Sequence, residues 1–425
     1  MTSDEQEHQG SLPTGMKIAE FITIMAGLMA LQALSIDTML PALPDIGRDL
    51  AIPTANDRQA IILFFFVGIG TGALVFGPLS DRFGRRPVLI LSVTMMLVAT
   101  IMCALAPSFP VLLGARLVAG FFGASCRVVT ISIVRDCFRG DPMARIMSLI
   151  LIVFIIVPAI APSLGQVVLL VAPWRAIFAL LAVLVAIMAI WAALRLPETL
   201  HPENRTAAGA RELGRTFWTV VTNRGSIGHM VASGLMFSGL VGFIVSIQQV
   251  FFDVFHRPDV FPLAFALMAL GMGAGSLFNS RLVERFGARR LSQSAVIALI
   301  LVSAVRCVLI LLDREGMVMF VLLQSLTMTC FSFAGANLSA ISLEPFSRGA
   351  GFASSIQAAL TTIMSVVLGG FVGSSFDGTL MPLSLGFLTF GAGALLVIAW
   401  AERWRLFRRP NLAHLRQGVG TPPTP

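Results

Sequence analysis

Asp37 and Arg116 are charged residues well inside long apolar runs, where a charge is costly. Asp37 falls in the first such run and Arg116 in the fourth. A buried charge in lipid is unfavourable unless it meets water, a polar group or an opposite charge. Both residues lie about six residues from the same end of their runs, roughly 9 Å at 1.5 Å per residue, so they can meet at one depth. We therefore predict a proton-coupling pair, in which protonation of Asp37 weakens its attraction to Arg116. The alternative is that Asp37 merely begins a loop, because Pro41 and Pro44 follow closely.

The composition requires an apolar surrounding for most of the chain. Of 425 residues, 56% are apolar and only 12% are charged, about half the charged fraction of a soluble protein. A membrane-spanning helix needs about 20 predominantly apolar residues, and twelve runs reach that length. They lie near 17–43, 58–79, 87–106, 110–134, 143–170, 174–196, 226–252, 260–280, 291–312, 316–340, 350–375 and 381–402. The sequence predicts an all-α membrane protein with twelve transmembrane helices.

The basic residues indicate the orientation of these spans. Of 30 Lys and Arg residues, 22 fall in one alternating set of loops and only five in the other, which by the positive-inside rule places both termini in the cytoplasm. Because the net charge of +8 is dispersed among loops, we expect a lipid bilayer and no nucleic acid as partner. The predicted segments are an N-terminal tail (1–16), a six-helix bundle (17–196), a cytoplasmic linker (197–225), a second six-helix bundle (226–403) and a C-terminal tail (404–425).

A sequence repeat relates the two halves. The segment from Gly68 to Arg86 recurs from Gly271 to Arg289. Three glycines, the acid at Asp81 and most of the residues that follow it keep the same register. Such a repeat indicates a duplicated six-helix unit, and secondary transporters with two similar halves can rock around a central site.

The loop between the second and third runs resembles a known signature. Its sequence, Gly77-Pro-Leu-Ser-Asp-Arg-Phe-Gly-Arg-Arg86, is similar to the loop motif of the major facilitator superfamily. The resemblance implies the major facilitator fold and a cytoplasmic gate, in which Asp81 faces the start of the eleventh span. The alternative is that these charges only fix the topology. The gate residues are Gly77, Asp81, Arg82, Gly84, Arg85 and Arg86.

Further motifs resemble the Bcr/CflA branch of drug/proton antiporters. They include the run from Asp37 to Ile46 and the run from Leu196 to Leu200. The fifth run resembles the antiporter motif, although two of its usual glycines are replaced; its remaining members here are Pro158, Pro162 and Gly165. The two prolines remove backbone donors, so we expect the helix to bend or loosen there. The resemblance implies export of drugs such as chloramphenicol-type compounds and bicyclomycin in exchange for protons.

The polar and aromatic residues of the central runs are candidates for contacts with cargo. With 32 Phe, 20 Met and few charges inside the runs, the interior favours small lipophilic cargo, although any single Phe could instead face lipid. The candidate cavity residues are Gln32, Phe121, Gln248, Asn337 and Gln357.

The sequence lacks the motifs of common enzyme classes. The sequence has no metalloprotease motif, no phosphate-binding GKS/T loop and no plausible catalytic triad, so we expect no enzyme activity, no cofactor and no metal, and transport driven by an ion gradient. The predicted protein is a monomeric drug/proton antiporter of the bacterial cytoplasmic membrane. The alternatives are a proton-coupled metabolite or siderophore carrier of the same fold, and a transporter-like sensor.

Overall fold

The computed structural model describes residues 16–138, 140–200, 203, 210–346 and 350–407. The predicted tails therefore lie outside the described residues up to residue 15 and from residue 408 onward, as does most of the linker between 201 and 209. The described residues form helices, turns and bends, with no strand among them.

Within the described ranges, twelve long helices match the twelve predicted runs. We refer to them as the first to twelfth spans. They cover Ile18–Asp37, Ala60–Phe83, Arg85–Ala104, Phe109–Cys137, Gly140–Val171, Arg175–Arg195, Arg224–Gln249, Phe261–Phe286, Ala288–Leu311, Met317–Leu343, Ala350–Ser374 and Met381–Ala401. Over the described residues, eleven are long and apolar enough to cross a membrane, and the fifth contains the apolar stretch Ile156–Val171. The predicted fold class is confirmed.

The first span ends earlier than the predicted run 17–43. The first span stops at Asp37 and is followed by a short 3-10 helix, Leu40–Ala42, and a separate helix, Leu43–Asp49. Pro41 and Pro44 each lie in the first turn of one of these short helices, where proline is favoured, because it has no amide hydrogen and disfavours helical geometry in the residue before it. Short helices also cover Asn56–Gln59 and Val250–Val254.

The linker contains a helix that the sequence analysis did not predict. This helix, Ala210–Thr222, is called the linker helix below. We call the end of the bundle where the linker lies the linker end, and the other end the opposite end. Odd-numbered spans run from the linker end to the opposite end and even-numbered spans run back.

The spans pack as two groups of six that meet along two seams. In the first half the second span lies against the fourth, and in the second half the eighth lies against the tenth. Between the halves, the second span packs on the eleventh and the fifth on the eighth. The contact of the second and fourth spans needs glycine, since a Cβ added to Gly120 would lie 2.1 Å from the carbonyl oxygen of Phe65.

The repeat is visible in the turns at the linker end. Gly84 and Gly287 occupy equivalent places and have φ of 104° and 84°, in the region that favours glycine because it has no Cβ. Each separates two antiparallel spans by a single residue. The matching positions of the repeat thus share the same turn geometry.

Candidate functional site

Asp37 is the last residue of the first span and is only 5% exposed. Asp37 therefore does not begin a solvated loop, which was the alternative. Its carboxylate has no hydrogen bond or ion pair with another described residue. Burial of a carboxylate without a fixed partner is costly when it is charged, so the site favours a carboxyl group that can take up a proton.

The fifth span packs directly against the chain that follows Asp37. A Cβ added to Gly165 would lie 1.9 Å from the carbonyl oxygen of Thr38 and 3.1 Å from Pro41 Cγ. Any larger residue at Gly165 would therefore push the fifth span away from the end of the first. The fifth span is one continuous helix through Pro158 and Pro162, and Pro162 is buried.

Arg116 is 1% exposed and links three spans. Its Nε donates to the carbonyl oxygen of Ile61 at 3.1 Å, and its Nη1 donates to that of Ser35 at 3.0 Å. The guanidinium also lies 4.1 Å from the centre of the Phe65 ring, a favourable cation–π contact. These contacts offset part of the cost of burying the charge.

The two predicted coupling residues form no ion pair with each other in the described part of the chain. Arg116 binds the carbonyl of Ser35, two residues before Asp37, and among the described residues no salt bridge joins Arg116 to the carboxylate. The Nη2 atom of Arg116 and the hydroxyl of Thr38 are both buried without a hydrogen bond. Two polar groups near Asp37 are thus available to new partners.

At the linker end, Arg85 is the centre of a charged cluster in the first half. Its Nε donates to Asp136 at 2.9 Å and its Nη1 to Asp81 at 2.5 Å. The carboxylate of Glu198 accepts hydrogen bonds from the backbone amides of Arg85 and Arg86. The cluster joins the ends of the second, fourth and sixth spans, so it makes these ends one unit.

The remaining predicted gate residues lie around this cluster. Arg82 is exposed and lies over the ring of Phe83. Gly77 is one turn before Asp81, and a Cβ there would lie 2.9 Å from the hydroxyl of Ser355, which is near the start of the eleventh span. The start of the eleventh span is thus close to this loop, while Asp81 itself binds Arg85.

An equivalent cluster lies in the second half and was not predicted. Arg289 donates to Glu402 at 2.8 Å and to Glu344 at 2.7 Å. The Nε2 atom of His229 lies 3.4 Å from Glu402, and its Nδ1 is 2.7 Å from the carbonyl oxygen of Gly225. His229 and Arg289 lower the pKa of Glu402, against the opposing effect of burial. The repeat matches Arg289 with Arg86 and places Ala288 at the position of Arg85, so the sequence did not reveal that Arg289 takes the central place in the second cluster.

At the opposite end, side-chain amides join the two halves. Gln59 Nε2 donates to the carbonyl of Gly373 at 3.0 Å and also to Gln249. Asn56 Nδ2 donates to the carbonyls of Ser374 and Phe376, and its Oδ1 accepts from Gln249 Nε2 at 2.8 Å. We call Asn56, Gln59 and Gln249 the amide cluster. The sequence analysis missed it as a site, because nothing in short polar segments reveals which distant segment they will meet.

The candidate cavity residues are distributed over both halves. Gln32, Gln248 and Gln357 are buried and form no hydrogen bond with another described residue. Asn337 instead bridges the tenth and eighth spans by donating to Asn279 at 2.7 Å, and Phe121 packs against neighbouring phenylalanine rings. The first three residues therefore keep free hydrogen-bonding capacity, and the last two have partners in their own halves.

Comparisons with known proteins agree with this architecture. A Bacillus subtilis (strain 168) protein named "Uncharacterized MFS-type transporter YdgK" is 27% identical over 387 residues, covering 90% of this chain and 96% of the relative. A Haemophilus influenzae protein named "Bicyclomycin resistance protein homolog" is 27% identical over 380 residues, covering 89% and 94%. A "Chloramphenicol resistance protein" of Pseudomonas aeruginosa is 38% identical over 165 residues, or 39% of each chain.

Solved structures show the same fold at low sequence identity. A D-xylose-proton symporter superposes with a TM-score of 0.72 at 14% identity, covering 90% of this chain and 97% of the other. The nucleoside transporter NupG superposes with a TM-score of 0.69 at 16% identity, covering 91% and 100%. Residues 25–367 match the sequence model of the Major Facilitator Superfamily. With its membrane-spanning helices and two similar halves, the chain is a multi-pass membrane protein that belongs to the Major Facilitator Superfamily.

Proposed function

We propose that this protein exports small lipophilic compounds, including antibiotics, in exchange for protons. The observation that carries the proposal is the buried carboxyl of Asp37, which has no fixed partner among the described residues. It ends the span whose Ser35 carbonyl accepts a hydrogen bond from the buried Arg116. Relatives over nearly the whole chain include a bicyclomycin resistance homologue, which supports a drug as cargo.

Proton exchange follows from the charge of the Asp37 site. When Asp37 is protonated, the site contains no uncompensated acid and the carboxyl can stay in an apolar environment. When it is ionised, the nearby Arg116 compensates its charge. Cargo that enters between the halves shifts this balance, so cargo binding expels the proton and proton binding expels the cargo.

The two six-helix units, 17–196 and 226–403, are the moving bodies in this proposal. Their polar candidates, Gln32, Gln248 and Gln357, would contact cargo from both sides. Since one chain supplies both halves, we propose that it acts as a monomer. The excess of arginines in the loops of the linker end supports a cytoplasmic linker and cytoplasmic termini.

The test is proton release from the purified protein when cargo is added. In weakly buffered detergent solution, chloramphenicol or bicyclomycin should release protons from the wild-type protein, as measured with a pH-sensitive dye. Asp37→Asn should abolish the release. The matched control is Asp377→Asn, because Asp377 is an exposed acid at the same end, and it should leave the release unchanged.

Two other results would refute the proposal. Undiminished release from Asp37→Asn would assign the proton to another group. No release with lipophilic antibiotics, together with release on adding a sugar or an iron chelate of a siderophore, would favour the metabolite or siderophore carrier.

A further inference from the structure

The linker helix has one face on the protein and an apolar face without a protein partner among the described residues. Val220 is fully buried and packs in a cluster with Met230 and Phe346. Phe217 is 49% exposed and Trp218 is 68% exposed. Because residues three and four positions apart share a helix face, the exposed Val221 lies on one face with both Trp218 and Phe217. This face is apolar, aromatic and continuous.

A second aromatic surface lies where the seventh span begins and the twelfth span ends. Arg224, two residues after the linker helix ends, donates to the carbonyl of Trp400 at 2.9 Å and lies 4.6 Å from its ring. Beyond the twelfth span, Trp404 is 70% exposed. The linker helix itself packs on the seventh and eleventh spans, and the start of the seventh span lies against the end of the twelfth. The aromatic–arginine band comprises Phe217, Trp218, Trp400, Trp404, Arg215, Arg224, Arg403 and Arg405.

The charge of this band is positive. Arg215, Arg403 and Arg405 are exposed. Glu402, which precedes Arg403 in sequence, binds Arg289 and lies beside His229, so its charge is already compensated. Guanidinium groups bind phosphate strongly and with two hydrogen bonds at once.

The position of the aromatic–arginine band indicates which molecules contact it. It lies where the seventh span begins and the twelfth span ends, which is the depth of the lipid headgroups in a membrane-spanning bundle. Tryptophan is enriched at that depth, and helices with an apolar face and arginines at its edge lie in the same plane.

We propose that the aromatic–arginine band binds anionic phospholipids. Phe217 and Trp218 enter the boundary between headgroups and acyl chains, and the exposed arginines bind the headgroup phosphates. The partner is therefore a phospholipid of the leaflet on the linker side, with phosphatidylglycerol preferred to phosphatidylcholine, because only the former has a net negative charge. This inference is independent of the cargo and of Asp37.

The experiment uses the full chain reconstituted in phosphatidylcholine vesicles that contain a minority of phosphatidylglycerol. Either lipid is supplied with brominated acyl chains, which quench tryptophan fluorescence on contact. Brominated phosphatidylglycerol should quench the wild-type protein more than brominated phosphatidylcholine at the same mole fraction. Trp218→Phe should remove a measurable part of the quenching by both lipids.

Charge variants separate lipid selection from simple contact. Arg215→Gln and Arg403→Gln should each reduce the preference for phosphatidylglycerol by about two- to fivefold. Arg314→Gln is the matched control, because Arg314 is an exposed arginine at the opposite end, and it should keep the preference. Size-exclusion chromatography checks that each variant is folded.

Three outcomes would overturn the proposal. Equal quenching by the two brominated lipids in the wild-type protein would exclude selection of anionic lipid. Unchanged quenching in Trp218→Phe would exclude insertion of the linker helix. An equal loss of preference in Arg314→Gln would show that the whole molecule, and not this band, attracts the anionic lipid.

Discussion

The contacts that join the two halves and the contacts within each half use different chemistry. At the opposite end, neutral side chains of the amide cluster join one half to the other, through contacts such as Gln59 with Gly373. At the linker end, Arg85 and Arg289 each bind acids of their own half. The strong charged interactions thus make each half rigid, while uncharged hydrogen bonds hold the halves together.

This difference suits a molecule whose halves move against each other. A neutral hydrogen bond contributes only about 1 kcal/mol net, so a few of them can break and form again during a transport cycle. Breaking a buried ion pair leaves an uncompensated charge and costs about 3–5 kcal/mol. Ion pairs within a half are kept throughout the movement, so they do not oppose it.

The largest expected effect comes from forcing the opposite end apart. A Cβ added to Gly373 would lie 2.0 Å from Gln59 Oε1 and 2.6 Å from Val245 Cγ2, so Gly373→Val should displace the amide cluster. Opening is measured in a Leu63→Cys protein, because Leu63 lies near Gly370 of the other half. In that protein, Gly373→Val should raise the labelling of the cysteine by a membrane-impermeant maleimide by about tenfold or more.

Two further variants make that experiment decisive. Gly316→Val is the control, since a Cβ at Gly316 would meet nothing within 4 Å, and it should not change the labelling. Gln249→Leu removes the hydrogen bonds with little change of volume and should raise the labelling less. If neither Gly373→Val nor Gln249→Leu alters the labelling, the amide cluster does not hold this end closed.

A smaller effect is expected when the charged cluster of the first half is broken. Arg85→Gln leaves Asp136 and Asp81 without their cation and should reduce the free energy of unfolding by about 2 kcal/mol, less than for a fully buried pair because Asp81 is half exposed. Thermal unfolding in detergent measures this loss. Arg281→Gln, which changes an exposed arginine at the same end, should have almost no effect; equal melting temperatures for both variants would contradict the prediction.

The smallest effect concerns pH at the second cluster. His229 and Arg289 lower the pKa of Glu402 from its ordinary value of 4.5. Because the pKa of Glu402 is lowered in the folded state, its ionised carboxylate stabilises the fold when the pH is above the ordinary pKa. This contribution disappears as the pH falls through the lowered pKa. The melting temperature of the wild type should therefore exceed that of Glu402→Gln by a constant margin from pH 7 to about pH 5, and by less at lower pH.

A variant of the amide cluster is the control for the pH measurement. Amides do not titrate, so the difference between Gln249→Leu and the wild type should stay constant over the same pH range. A margin for Glu402→Gln that stays constant down to pH 3 would show that Glu402 is not stabilised by its neighbours.

The sequence predicted individual site residues better than their partners. Asp37 and Arg116 were identified from their charge inside apolar runs, and both are buried. Their predicted ion pair is not formed in this conformation; Arg116 binds the backbone of Ser35 and Ile61 instead. A backbone carbonyl carries no sequence signature, so this partner could not be predicted.

The sequence by itself determined the twelve spans, the repeat and the family, because apolar length and repeated motifs depend on neighbouring residues. Only the tertiary structure decided that Gly165 fits against Thr38, that Gln59 meets Gln249 across the two halves, and that the linker helix exposes Trp218. These contacts join segments far apart in the chain. Their partners are set by how the helices pack, and the pattern along one helix does not contain that information.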